Sequence, residues 1–459
     1  ISAYILKKLV KDANDELIQT GVLSEGQEVR DVVITCPAYF GMNERQATKT
    51  AGELAGLNVL NIINEPTAAA ISYGAAGSAK HETVLVYDLG GGTFDITVMD
   101  INGSDISVVC TGGDDTLGGK DWDETLMDYV TERYEEENGE DLSEDPDAVA
   151  ALYVDVETWK KSLTAREKVN ISVNGSGGRF REELTRERYE ELTHDLLSRT
   201  KNLLDEVLKN AAQKGCPQEK IDKILLVGGS SRMPQVAKMI EADYHITPVL
   251  QDPDEAVAKG AAIYARNEKQ YSDFLLEESQ KTGKTVKELT EENLKTGGAL
   301  DKKFALSTSG YGAIKMNITN VLSRTYGISA YNEDDDLVIC NMLMSNDKLP
   351  ATTTRSFWTG QNNQTGAELP IFETRSMEPT LPLGDREPIT TIHMRFNERV
   401  PKGTEITVML ALDNSGILHV MAEELCRHSK LETTFDLSNQ MTEDERITAV
   451  RRTAETTVE

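Results

Sequence analysis

The chain has 459 residues, and 48 Lys plus Arg against 77 Asp plus Glu give it a formal net charge of −29 at pH 7. This acidity disfavours binding to nucleic acid or to an anionic membrane surface, because both depend on lysine and arginine. With 39% hydrophobic and 27% charged residues, the composition is typical of a globular protein and excludes wholesale disorder. The sequence holds no apolar run of the roughly 20 residues that a spanning helix needs. Five scattered cysteines without a CxxC pair suggest neither a disulfide framework nor a zinc site, so we expect a cytoplasmic protein.

From residue 31 to about 266, short apolar runs alternate with amphipathic helical stretches, which predicts an α/β domain. Strands are predicted at 31–36, 83–88, 93–99, 105–110 and 223–227. Helices are predicted between them, at 43–55, 66–74, 119–137, 186–213, 234–242 and 253–266. Ahead of this pattern the chain starts at Ile1 in helix-like sequence, from which we expect it to begin inside a domain.

The pattern changes twice in the second half of the chain. Residues 267–320 are polar and charge-mixed, which predicts a linker or insert with some helix. From 321 onward apolar and polar residues alternate strictly, and Asp413-Asn414-Ser415-Gly416 predicts a hairpin turn. An all-β sandwich is therefore expected over 321–436. The tail at 437–459 is predicted to turn helical from an N-cap at Thr442 with Glu445.

Three consecutive glycines lie between two strand-like runs, in Asp88-Leu89-Gly90-Gly91-Gly92-Thr93-Phe94-Asp95. Such a tight hairpin lets bare backbone N–H groups approach an anion, and Asp88 and Asp95 could hold Mg²⁺ through water. A plain hairpin turn is the alternative. The run contains neither a P-loop nor a dinucleotide fingerprint, so it predicts a phosphate cradle of another kind.

Two further glycine clusters, 113–121 and 226–234, each join a predicted strand to a predicted helix. The first could aim helix N–H groups at a ligand, and the second carries Arg232, whose planar guanidinium can stack on a base. Glu65 and Asp254 stand near predicted helix starts, where the helix dipole alone could explain them. Each feature alone is more often structural than functional. Their joint presence in one α/β unit favours a nucleotide cleft.

Read in order, these segments resemble the heat-shock-70 chaperone family of the DnaK type. The matching runs are ITCPAYFGMNERQATKTAGELAGL (34–57), IINEPTAAAISYG (62–74), VYDLGGGTFDITV (86–98), GGDDTLGGKDWD (112–123), ILLVGGSSRMP (224–234), DPDEAVAKGAA (252–262), LPATTTRSFWTGQNNQTGAELPIFE (349–373) and LDNSGILHVMAEE (412–424). The resemblance implies an α/β actin-like (ribonuclease H-like) nucleotide-binding domain over 1–266, incomplete at its N-terminus. A linker at 267–320, an all-β sandwich at 321–436 and a short helical tail that starts the lid at 437–459 would follow.

The resemblance also implies site residues. ATP hydrolysis would use Glu65, Asp88, Thr93 and Asp95, with Asp88 and Asp95 organising Mg²⁺ and associated K⁺. ATP or ADP would contact Gly90, Gly91, Gly92, Gly119, Glu157, Lys160, Lys161, Thr164, Gly228, Gly229, Ser230, Arg232 and Asp254. Pro37 and Arg45 would relay the nucleotide state to the sandwich. Peptide contacts would be Ile328, Tyr331, Gly360, Ala367 and Leu369.

The implied function is that of an ATP-dependent molecular chaperone of the stress response, which binds exposed apolar segments of unfolded proteins and releases them under nucleotide control. The family's first phosphate hairpin and its γ-phosphate lysine would precede Ile1, so we expect little or no ATP turnover from this chain. Partners would include a J-domain co-chaperone and a nucleotide exchange factor. Asn61 stands where DnaK-like members usually have the arginine that docks the J-domain, so we expect altered docking.

One departure concerns the path between the domains. The linker at 315–320 lacks the family's acid-flanked leucine-rich run, which predicts weaker or rewired coupling between nucleotide and peptide sites.

Two other function classes stay open from the residues alone. One is an actin-like sugar kinase or filament-type protein, and the other is a non-enzymatic peptide-binding scaffold with a decayed nucleotide site.

Overall fold

The structure, a computed structural model, describes residues 1–75, 81–250, 252–295, 298–307, 315–332, 334–413, 417–426, 428–436 and 452–453. The chain divides into two compact units, each discontinuous in sequence. The first unit comprises Ile1–Asn64, Ser104–Val108 and Ala261–Glu459, and the second comprises Glu65–Gly103 and Val109–Gly260. The domain limits proposed from the sequence stay a prediction.

The elements follow one another along the chain as helices α1 to α11 and strands β1 to β19. They are α1 (Ser2–Gln19), β1 (Asp31–Cys36), α2 (Met42–Leu54), β2 (Asn58–Asn64), α3 (Glu65–Ala75), β3 (Glu82–Leu89), β4 (Phe94–Asn102), β5 (Asp105–Asp114), α4 (Gly119–Asn138), α5 (Pro146–Ala165), β6 (Lys168–Gly175), β7 (Gly178–Thr185), α6 (Arg186–Leu192), α7 (His194–Gln213), β8 (Lys223–Val227), α8 (Pro234–Tyr244), β9 (Val249–Leu250), α9 (Ala256–Thr282), α10 (Val286–Lys295), α11 (Ala299–Ser307), β10 (Asn317–Thr319), β11 (Thr325–Tyr331), β12 (Leu337–Leu343), β13 (Ala351–Trp358), β14 (Gln364–Thr374), β15 (Thr380–Pro382), β16 (Thr390–Val400), β17 (Glu405–Leu412), β18 (Ile417–Glu424) and β19 (Ser429–Asp436).

The second unit is built on a sheet with the strand order β5-β4-β3-β8-β9, to which β5 contributes its residues from Val109 onward. Strands β3 and β4 form an antiparallel hairpin, and β3 pairs in parallel with β8. Strand β3 is buried along almost its whole length, as expected for a central strand covered on both faces. Trp122 from α4, Leu152 from α5 and Val207 from α7 pack into the same core. This core fixes the ends of β3 and β8, where the glycine-rich turns begin.

The first unit contains the predicted β-sandwich. One sheet has the order β15-β12-β11-β14-β16 and the other β13-β17-β18-β19, and the strands pair antiparallel throughout. In β17, buried Val408 and Leu410 alternate with half-buried Thr407 and Met409. Because side chains alternate between the two faces of a strand, this register places one apolar row in the core between the sheets.

The first unit also holds the segment that precedes the sandwich. Strand β10 pairs in parallel with the start of β5, so that Asn317 lies opposite Asp105. Just before β10, the Lys315 ammonium lies 3.2 Å from Asp301 Oδ1 and 4.7 Å from the ring centroid of Tyr271. Tyr271 donates its hydroxyl to Asp301 at 2.6 Å. Residues of α9 and α11 therefore hold Lys315, two residues before β10 starts.

Several elements differ from the sequence-based expectations. The helix predicted at 186–213 is broken at Thr193. This residue is fully buried, and its hydroxyl donates to the Tyr189 carbonyl at 2.9 Å. The segment 267–320 is more helical than expected, because α9 continues to Thr282 and α10 and α11 follow. Strand β2 and the β6–β7 hairpin were not predicted. The hairpin turn at 414–416 and the tail cap at Thr442 lie outside the described residues, although β17 and β18 do pair antiparallel around that turn.

Two chemical features of the described chain bear on its environment. In this part of the chain, every helix is too short or too polar to cross a membrane. All five cysteines are free thiols, and Cys426 is exposed whereas the other four are buried. The cysteines therefore contribute no covalent cross-link to the fold described above.

Candidate functional site

The triple-glycine hairpin places two carboxylates on facing strands. Asp88 at the end of β3 lies directly opposite Asp95 at the start of β4. Gly90 N–H donates to the Thr93 carbonyl at 3.0 Å and closes the turn. The carbonyl of Gly90 in turn accepts from the N–H of Gly119 at 2.9 Å, which ties the turn to the first residue of α4. The sequence prediction of a tight hairpin between Asp88 and Asp95 is thus matched in the structure.

Close packing of the three glycine-rich segments requires glycine at two positions. A Cβ at Gly118 would overlap the backbone of Gly92, and a Cβ at Gly228 would overlap the Leu89 carbonyl and approach Asp88 Oδ1 to 2.6 Å. Gly228 also has φ of +79°, a conformation that L side chains rarely adopt. By contrast, a Cβ at Gly91 or Gly92 would meet no atom within 4 Å.

The carboxylates at the turn are buried, and this changes their acidity. Burial, together with the nearby negative charge of Glu65, raises the pKa of Asp88 to about 7. Burial also raises the pKa of Glu65, the first residue of α3. Oxygen ligands with excess negative charge are what a hard divalent cation neutralises, so the donor set fits Mg²⁺. The described residues hold no group of three or more His, Cys, Asp or Glu side chains that could bind a metal by itself.

A cavity of about 720 Å³ lies beside this turn within the second unit. Its volume is in the range of small-molecule sites. It is lined by the hairpin, the start of α4, one face of α5, and the segments after β8 and before α9. The lining residues are Gly91, Gly119, Lys120, Asp123, Tyr153, Glu157, Lys160, Lys161, Thr164, Gly229, Ser230, Arg232, Met233 and Asp254. Ten of them belong to the predicted nucleotide contacts, which come from distant parts of the sequence; Gly90, Gly92 and Gly228 adjoin the lining along the chain.

Ion pairs fix the walls of this cavity. The buried Lys160 ammonium donates to the Gly119 carbonyl at 2.8 Å and to Asp123 Oδ2 at 2.6 Å. Burial raises the pKa of Asp123 although this ammonium opposes the shift. Lys161 pairs with Glu157 at 2.9 Å along α5, and Arg232 pairs with Asp254 across the opposite wall. The side chains of Lys160, Lys161 and Arg232 are therefore already oriented by acidic partners.

Four lining residues were not predicted from the sequence: Lys120, Asp123, Tyr153 and Met233. One signal could have found Tyr153, because positions 153, 157, 160, 161 and 164 have the spacing of a single helix face. No sequence signal indicates the Asp123–Lys160 pair, since it depends on how α4 and α5 pack. These four residues add to the lining of the predicted site.

The predicted relay residues Pro37 and Arg45 lie in the first unit, around the turn that follows β1. Arg45 donates through Nε to the Phe40 carbonyl at 3.3 Å and through Nη2 to Asn64 Oδ1. The hydroxyl of Ser323 donates to the same Phe40 carbonyl at 2.8 Å. The turn is therefore bonded to the segment just ahead of β11, and the relay role of Pro37 and Arg45 stays a prediction.

Asn61, the position predicted to alter co-chaperone docking, lies in the middle of β2. Its side-chain amide donates to the Tyr264 hydroxyl at 2.9 Å, and its Oδ1 accepts from the N–H of Ile62 at 2.8 Å. Both polar ends of the side chain therefore have intramolecular partners.

The predicted peptide contacts have different environments in the sandwich. Ile328 in β11 and Leu369 in β14 are 1% and 4% exposed and belong to the core between the sheets, against which Ala367 packs. Tyr331 at the end of β11 is 71% exposed. Gly360 lies in the exposed stretch between β13 and β14. The structure therefore groups three of these residues and leaves Tyr331 and Gly360 outside that apolar cluster; their roles stay predictions.

Comparison with known proteins agrees with this architecture. Residues 1–287 match the protein family described as Hsp70 protein. The chaperone protein DnaK of Thermosipho africanus is 34% identical over 460 residues, covering 97% of this chain and 66% of the relative. DnaK of Thermotoga petrophila is also 34% identical and is covered to 67%, and DnaK of Thermosipho melanesiensis is covered to 63%.

The matches define the class of protein: an α/β nucleotide-binding type of domain joined to a β-rich part, as in the Hsp70 proteins. The chain belongs to the Hsp70 family and is DnaK-like. It spans about two thirds of the length of the curated relatives that it matches. The family and fold class expected from the sequence are confirmed.

Proposed function

We propose that the cavity of the second unit binds ADP and ATP together with Mg²⁺. The observation that carries this proposal is the convergence of the triple-glycine hairpin, the face of α5 and the Gly229–Arg232 segment on one cavity of about 720 Å³. Neither packing nor backbone conformation explains glycine at 91 and 92. A ligand that approaches the bare backbone there, such as a phosphate, does explain it.

Asp88 and Asp95 are the residues proposed to hold Mg²⁺, whose bound form supplies a positive charge to the phosphates. Cation binding would favour ionised Asp88 and so lower its pKa from about 7. Thr93, which closes the turn, is proposed to donate to a phosphate oxygen. Glu65, near enough to Asp88 to raise its pKa, is proposed to orient the water that attacks in ATP hydrolysis, a reaction governed by positioning and charge neutralisation. K⁺ is proposed as an associated ion.

The nucleotide is proposed to control a chaperone function. In this proposal the β-sandwich binds extended apolar segments of unfolded polypeptides through backbone hydrogen bonds and a side-chain pocket. The relatives' printed name, chaperone protein DnaK, supports it. Pro37 and Arg45 would pass the nucleotide state on, and a J-domain co-chaperone and a nucleotide exchange factor would act as partners in the cytoplasm. Five free thiols fit a reducing compartment.

Calorimetry of the 459-residue chain tests the proposal. Mg-ADP and a labelled extended apolar peptide should both bind, and saturating ADP should change the affinity for the peptide. Arg232→Ala should weaken ADP binding. Arg188→Ala is the matched control. Like Arg232, Arg188 is about half exposed and forms an ion pair with a carboxylate, that of Glu191, but it does not line the cavity. Peptide binding without any ADP binding would replace the proposal by the scaffold hypothesis, and nucleotide-dependent sugar phosphorylation would replace it by the kinase hypothesis.

A further inference from the structure

Tyr153 occupies an unusual place on the cavity wall. It lies on α5 one turn before Glu157 and two turns before Lys160 and Lys161, on the helix face that lines the cavity. Its side chain is nevertheless 64% exposed. Among the fourteen described lining residues it is the only aromatic one. An aromatic ring at this place therefore contributes little to the protein core and presents a flat apolar surface at the cavity.

The other side chains of this face are engaged in polar contacts. Lys160 is held by Gly119 and Asp123, and Lys161 is held by Glu157. A flat aromatic ligand therefore finds one planar surface on α5, the ring of Tyr153. On the segment after β8 it finds a second, the guanidinium of Arg232, whose pairing with Asp254 fixes its orientation.

We propose that Tyr153 contacts the face of the nucleotide base and sets the affinity of the site for nucleotides over phosphates alone. The proposal rests on the nucleotide-binding function proposed above. A base is a planar heteroaromatic ring that stacks on aromatic side chains, and the tyrosine hydroxyl can remain in water while the ring is covered. Tyr153 is not among the nucleotide contacts that the resemblance to the Hsp70 family implies.

Stacking on Tyr153 predicts which ligands gain affinity from this residue and which do not. Every base has a π-face, so the contribution of Tyr153 should be similar for ADP and GDP. It should be absent for pyrophosphate, which lacks a base but can still use the glycine-rich hairpin. Loss of base stacking weakens binding roughly 5- to 150-fold.

The test compares three variants of the 459-residue chain by calorimetry with Mg-ADP, Mg-GDP and Mg-pyrophosphate. Tyr153→Ala should weaken both nucleotides by the same factor within that range and leave pyrophosphate unchanged. Tyr153→Phe should bind as the original chain does, because the ring is retained. Val154→Ala is the matched control, since Val154 is also 64% exposed but does not line the cavity.

Each contrary result overturns a different statement. If Tyr153→Ala binds ADP within twofold of the original chain, the stacking proposal fails while nucleotide binding stands. If Tyr153→Ala weakens pyrophosphate as much as ADP, or if Tyr153→Phe is as weak as Tyr153→Ala, the contact is not a ring on a base and the proposal also fails. If the unaltered chain binds pyrophosphate and no nucleotide, or binds neither, the proposed function itself fails.

Discussion

Two sets of residues around the cavity of the second unit differ in what explains them. At Gly118 and Gly228 the protein's own packing requires glycine, because a Cβ would overlap neighbouring backbone. At Gly91 and Gly92 a Cβ would meet nothing within 4 Å, so the folded chain by itself gives no reason for glycine. Residues that packing explains maintain the site, whereas residues that packing leaves unexplained point to a ligand.

Asp88 belongs with the second set, because its burial costs stability. Its pKa of about 7 in the folded chain lies above the ordinary value of an aspartate. The folded state therefore holds a proton that the unfolded state loses, and the free energy of unfolding falls as pH rises from about 4 to about 7. A cofactor cation that offsets this cost would account for a carboxylate at this place.

The largest expected effect is that of Asp88→Asn on this pH dependence. The free energy of unfolding of the variant should not fall between pH 4 and pH 7. Relative to the original chain, it should therefore rise by up to about 4 kcal/mol over this pH range. The variant should also weaken Mg-ADP binding. Urea unfolding at several pH values measures the first effect, with the exposed Asp128→Asn as control. Parallel pH curves for Asp88→Asn and the original chain would remove Asp88 from the set of residues that a ligand explains.

The second largest effect concerns the glycines that packing requires. Gly228→Ala should lower the unfolding free energy by about 2–4 kcal/mol, since it adds steric overlap to the strain of a positive φ. Gly215→Ala separates the two causes, because Gly215 has φ of +83° but no atom within 4 Å of its Cβ position. It should cost about 1–2 kcal/mol. Equal losses for both variants in urea unfolding would mean that close packing at Gly228 contributes nothing.

Gly91→Ala should have the opposite effect: it should weaken ligand binding and leave stability almost unchanged. The added methyl group meets open space, so the unfolding free energy should change by about 0.5 kcal/mol or less. The same methyl group would obstruct a phosphate at the hairpin, and we expect Mg-ADP and Mg-pyrophosphate to bind about 10- to 100-fold more weakly, as for loss of hydrogen bonds to a charged group. Calorimetry and urea unfolding of the one variant measure both quantities. A stability loss with unchanged affinity would reverse the assignment of this glycine.

A similarly small effect on stability should come from the Arg232–Asp254 pair. Both side chains are partly exposed, at 43% and 62%, and such pairs contribute about 1 kcal/mol or less. Asp254→Asn should therefore unfold within about 1 kcal/mol of the original chain, while its ADP affinity falls because Arg232 loses its orienting partner. Thermal unfolding with and without ADP shows both effects. A large loss of stability without ADP would place this pair with the residues that maintain the fold.

The sequence was most informative where local chemistry determines local structure. The apolar runs at 31–36 and 223–227 became β1 and β8 with the predicted limits, and the triple glycine formed the expected hairpin. Strands of the sandwich followed from strict alternation. In each case the signal lies within about ten residues, which is the range over which periodicity and turn chemistry act.

What the sequence did not predict depends on packing between distant segments. Thr193 breaks a helix of otherwise continuous helical pattern, because its buried side chain contacts Gln235 from another helix. The Lys160–Asp123 pair joins two helices, and neither residue type at its position indicates the other. The β6–β7 hairpin did carry a signal, since Val169, Ile171 and Val173 alternate with polar residues, but a short polar hairpin gives a weak periodic pattern.

The short strand β10 has a consequence for association between chains. Asn317 donates its N–H to the Ser104 carbonyl at 3.0 Å, and residues 317–319 cover the edge offered by 105–107. If β10 leaves, that edge presents unpaired N–H and C=O groups, which are a template for any extended segment. The same three residues from a second copy fit it in the same register. Loss of the Lys315 contacts with Asp301 and Tyr271 would therefore favour strand exchange between copies, a route to domain-swapped dimers that concentrated solutions would populate first.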